Sequence, residues 1–73
     1  MIDNYNNLAN AIILQAVKDY RKALRTLSIN PNNRSAQYER RHIEQFFRSG
    51  WFGVLTSIDP KMLITKLKAE VTA

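Results

Sequence analysis

Few side chains in this sequence are equipped for chemistry, and their spacing narrows the possibilities further. His42 is the sole histidine. If its segment is helical, Glu39 lies three residues back and within reach, whereas Glu44 points elsewhere. That pair falls short of a metal-ligand set, and with no cysteine in the chain a thiolate site is ruled out. Ser28, Ser35, Ser49 and Ser57 all fall at expected helix ends, where capping and turn formation account for hydroxyls. Gly50 and Gly53 bracket Trp51 and Phe52, so they do not form a phosphate-binding loop. The paired acids of glycosidases and two-metal enzymes are absent as well. The expectation is a protein without catalytic residues, cofactor or metal.

Binding chemistry is better represented. Lys18, Arg21, Lys22 and Arg25 share one side of a helix that advances about 100° per residue, and Leu14 lies on that same side. Four cations around one apolar anchor suit an acidic protein surface or a phosphate backbone, although an ordinary solvated face has the same composition. A second cluster, Asn32, Asn33, Arg34, Gln37 and Arg41, carries side chains able to read base edges; Arg34, Gln37 and Arg41 are its candidate nucleic-acid contacts. Phe46, Phe47, Trp51 and Phe52, with Arg48 among them, could stack on bases. A small domain has a prior need of large side chains to close its core, so core roles are expected, with Trp51 open to half exposure.

These groups are positioned by helices. Tyr5, Leu8, Ala9, Ile12, Ala16, Tyr20, Ala23 and Leu27 recur at helical spacing, and Ile13, Val17 and Leu24 widen the stripe. One long helix from about Asn4 to Leu27 is predicted, with Asp3 or Asn4 as its cap. The Ser28–Asn33 segment stops it, because Pro31 disfavours helical geometry at Asn30. A second helix runs from Arg34 or Ser35 to Arg48, capped by Asn33 or Ser35. It buries Ala36, Ile43 and Phe47, turns Gln37, Arg41, Glu44 and Arg48 outward, and ends at Gly50 in a left-handed exit. Joined by a short turn, the two pack antiparallel.

A short piece from Ser49 through Leu55 follows, weakened by Gly53. Asp59-Pro60 starts the last helix, with Met62, Leu63, Leu67 and Val71 inward and Ile64 beside them. The fold class is all-α: a small helical bundle, a long antiparallel hairpin plus one short and one medium C-terminal helix, forming a single domain over residues 1–73. Helix-turn-helix recognition fits poorly, because that motif joins two short helices by a three- or four-residue turn.

The stretch AIILQAVKDYRKAL from Ala11 to Leu24 and the stretch IEQFFRSGWF from Ile43 to Phe52 lead on to Leu55-Thr56, Asp59, Leu63-Ile64 and Leu67. Together they resemble a family of short proteins from phages, prophages and integrated mobile elements of Gram-positive bacteria. The similarity runs from about Tyr5 to Val71 and is most distinctive in the Phe-Phe-Arg-Ser-x-Trp-Phe core. Gly50 stands where that family is often acidic, and Pro60 where some members carry Gly. The family has no established activity, so the resemblance implies a setting and no site residues. Small proteins in that setting bind host or phage macromolecules, and inhibitors of host defence, anti-CRISPR proteins among them, are prominent.

Composition fits this expectation. Eleven Lys and Arg against six Asp and Glu give a net charge of +5 and a pI near 10.0, which favours encounter with polyanions. The longest purely aliphatic run is four residues, Ala11–Leu14, so no membrane association is expected, and no signal-peptide pattern opens the chain. The expected location is the bacterial host cytoplasm. The expected partner is a host or phage protein, or a protein–nucleic acid complex. Direct nucleic-acid binding is the alternative, and a homodimer completing a small core is the third reading. Charge reversal at Arg21 and Arg25 is expected to weaken such a contact and spare the fold.

Overall fold

The computed structural model describes residues 4–72, with side chains from 8 to 71. Its elements are α1 (Asn4–Ile29), α2 (Arg34–Phe47), α3 (Gly50–Leu55) and α4 (Pro60–Thr72), an all-α bundle. The Asp3 cap and the Tyr5 side chain lie outside the described residues.

No Gly or Pro interrupts α1, which runs two residues past the expected end. Two hydroxyls in its last turns bond back to carbonyls, Thr26 to Lys22 at 3.0 Å and Ser28 to Arg25 at 2.7 Å. Pro31 then acts as anticipated: Asn30 leaves the helix, and its side chain accepts from the Asn32 N–H at 3.2 Å. Asn33 caps α2 by accepting from the Ala36 N–H at 2.9 Å, and Asp59 caps α4 by accepting from the Lys61 N–H at 2.9 Å.

α1 packs chiefly on α2, with α4 and then α3 laid against the pair. Near the turn, buried Ala23 and Ala36 let α1 and α2 approach closely. The core joins Ile13, Tyr20 and Leu24 of α1, Ile43 and Phe47 of α2, Phe52 of α3, and Ile64 and Leu67 of α4. Phe47 is its hub, meeting Tyr20 and Phe52 edge-on, each at a centroid distance of 5.5 Å.

Several positions depart from the expected pattern. Ile12 and Leu8 lie on the stripe, yet they are 41% and 61% exposed. α1, at about 39 Å, outreaches α2, at about 21 Å, which leaves Leu8 and Ile12 less covered than the stripe predicts. Gly50 does not make a left-handed exit: no described glycine has a positive φ, and Gly50 opens α3. Ser49 holds the N-cap position without capping α3, since its hydroxyl bonds to the Phe46 carbonyl at 2.6 Å.

In α4 the inward face is rotated by one position, with Ile64 buried and Met62 exposed, because α4 settles across α1 as well as α2. Glu44, expected outside, is half-buried at the α1–α4 junction, where it accepts from the Tyr20 hydroxyl at 2.6 Å. Its other neighbours are Lys68 at 3.8 Å and Arg48 at 3.9 Å.

Candidate binding surfaces

On the back of α1, away from α2, Leu14 is 59% exposed, and Lys18, Lys22 and Arg25 are exposed along the same side C-terminal to it. The expected set is brought together with one exception in its availability. Arg21 is half-covered and donates two hydrogen bonds to Glu70 of α4, from Nε at 2.9 Å and from Nη2 at 3.1 Å. The fork-on-carboxylate geometry holds the Glu70 carboxyl below its usual range, first through the Arg21 hydrogen bond, and pushes the guanidinium up in turn. Arg21 therefore ties helices together, and α4 borders the patch. Lys22, at the other border, faces the shallow notch beside Asp19, Asn33 and Glu39. Leu14, Lys18 and Arg25 form the open stretch of this face; no direct salt bridge holds either cation among the described residues, although the Arg25 charge helps lower the Glu70 carboxyl.

The α2 cluster is split by its own local structure. Asn33 is spent on the cap, and Gln37 Nε2 donates to the Pro31 carbonyl at 2.7 Å, which closes the turn. Two of the three amides offered to base edges, Asn33 and Gln37, thus serve the backbone. Arg34 and Arg41 remain exposed and lie seven residues apart on the same outer face. Tyr38 and Arg48 share that face, and the sequence reading missed Tyr38. The signal was its place at i+4 from Arg34 and opposite Ala36 and Ile43. Tyr38 stacks on His42, with centroids 5.8 Å apart and planes 14° apart. His42 is exposed beside Glu39, and among the described residues no three His, Cys, Asp or Glu side chains gather as a metal site.

The aromatic run divides unevenly. Phe47 and Phe52 are fully buried, Phe46 is half-buried, and Trp51 is 72% exposed. α3 is six residues long and anchors itself with Phe52, so its adjacent residue swings out, as does Val54 one turn on.

A third surface lies between α1 and α2 on the side that α4 leaves open. Ile12, Ala16, Ile43 and Phe46 floor a groove of about 510 Å³, with Asp19, Glu39 and His42 along its edge. Comparison with protein-family models, curated proteins and solved structures gave no match.

Proposed function

We propose that this protein is a non-catalytic binding module that docks on an acidic protein surface through the back of α1. The observation that carries the reading is Leu14, largely exposed, with the exposed Lys18 one turn on and Arg25 two turns further along the same face of α1. An apolar side chain that is desolvated on contact supplies binding energy, and cations around it steer and orient an acidic partner. The long stem of Lys18 can cover the anchor's flank while its charged head stays wet. In the phage and mobile-element setting that the sequence resembles, the partner is a host or phage protein in the cytoplasm, and inhibition of a host defence nuclease fits a small basic decoy of this kind.

A second reading has its own observation. Along the outer face of α2, the exposed Arg34, Tyr38 and Arg41 lie in one row, with Arg48 beyond them paired to Glu44, a surface suited to a phosphate backbone. Affinity capture from host lysate separates the two readings. Docking on protein predicts a specific partner that survives nuclease treatment, is lost with Leu14→Asp or Lys18→Glu, and is kept with Arg34→Glu and Arg41→Glu. Nucleic-acid binding predicts the reverse, with recovery abolished by nuclease and falling steeply with salt. Specific recovery that ignores all four substitutions overturns both.

A further inference from the structure

We propose that the groove between α1 and α2 is filled by the first half of α1 from a second copy of the chain, making a two-fold antiparallel dimer. Residues 4–17 contain no Asp, Glu, Lys or Arg, in a chain whose charged residues make up 23%. The same stretch presents apolar side chains on more than one flank: Ile13 points into the core, while Leu8 and Ile12 face out. A helix that is uncharged and apolar beyond its core stripe has the composition of a buried one, and charge depletion is what marks the centre of an interface.

The distribution of charge decides where two copies can meet. At +5, two copies repel over most approaches, and the neutral half of α1 is where they can meet without setting cation against cation. The groove's edge carries Asp19 and Glu39, which disfavours an acidic segment, and the uncharged first half of α1 meets that edge without repulsion. Geometry is self-complementary as well. Leu8, Ile12 and Ala16 follow one another at i, i+4 spacing along the side of α1 that lines the groove, so filler and slot lie on one face. A two-fold axis near Ile12 lays each copy's Leu8 over the other's Ile43 and Phe46, an isologous contact that closes and cannot propagate. Leu14 lies on the opposite side of α1, so this interface and the proposed docking patch are independent.

Sedimentation equilibrium tests it. The chain is expected at twice its 8.5 kDa mass at micromolar to millimolar concentration. Leu8→Glu and Ile12→Glu each weaken dimerisation by on the order of tenfold or more, with unchanged far-ultraviolet circular dichroism, while Leu14→Glu leaves it intact. Single cysteines add a readout independent of these variants: in this cysteine-free chain, Ile12→Cys should oxidise to a covalent dimer much faster than Leu14→Cys. A wild-type chain that stays monomeric at roughly 0.5 mM overturns the proposal. So does a dimer that tolerates both glutamates, or equal cross-linking at positions 12 and 14.

Discussion

Tyr20 shows how one hydroxyl can decide where a charged neighbour lies. The ring is fully buried against Phe47, and its hydroxyl donates to Glu44, giving a core-lining phenol a charged acceptor at 2.6 Å. Burial, and next the Glu44 hydrogen bond, push the phenol well above its ordinary value near 10. Tyr20→Phe removes the donor and leaves a half-buried carboxylate with one partner fewer, so a loss of about 1–2 kcal/mol is expected in urea unfolding at neutral pH. Because the folded pKa is raised, this stabilisation is complete below pH 10 or so and declines as pH climbs further, where the unfolded phenol ionises and the folded one does not. The wild-type advantage over Tyr20→Phe should therefore shrink above pH 10. An advantage that grows there would show that the hydroxyl is ionised in the fold.

At the scale of elements, the caps carry the boundaries. The α1–α2 turn has three asparagines around one proline, and each does separate work: Asn30 turns the chain, Asn32 donates its N–H to it, and Asn33 opens α2. Asn33→Ala leaves the first-turn N–H of Ala36 without its acceptor and is expected to cost about 1 kcal/mol in thermal or urea unfolding, whereas Asn33→Asp keeps the acceptor and stays near wild type. A loss as large for the aspartate as for the alanine would mean that the amide's donor side matters more than the cap. α3 has no comparable device. With Ser49 turned back to Phe46 and Gly53 inside it, this short helix is held by the burial of Phe52, which is why its other apolar side chains can stand in solvent.

The described part of the chain measures 46 × 21 × 20 Å, long because α1 is nearly twice the length of α2. α4 returns along α1 and is fastened there by Arg21 and Glu70, so the cationic face read from sequence is not one uniform surface. Arg21→Glu sets two carboxylates against each other and should lower the melting temperature. Arg25→Glu should change it little, and the swap Arg21→Glu with Glu70→Lys should recover most of the loss. Equal melting of the two single variants would show that the pair holds nothing, as exposed pairs often do. Arg21 is thus a poor probe of docking because it is tied to Glu70, and the cleaner probes are Leu14 and Lys18.

Helix identity was legible residue by residue, because local rules write it: spacing at 3.6 residues, proline after Asn30, Asn33 before α2, and Asp59-Pro60 before α4. So were the central core positions Tyr20, Leu24, Ile43, Phe47 and Leu67, which any packing of those helices would bury. What stayed illegible depended on relative length and rotation. Ile12 follows the stripe as faithfully as Ala16 does, and it is uncovered only because α2 ends where it does. Met62 and Ile64 exchange places according to how far α4 turns across α1, and Trp51 or Phe52 faces inward according to the path of the α2–α3 link. The availability of Arg21, Asn33 and Gln37 was hidden for the same reason: a side chain's type fixes what it can bond, but its neighbours in space decide whether that bond is already made.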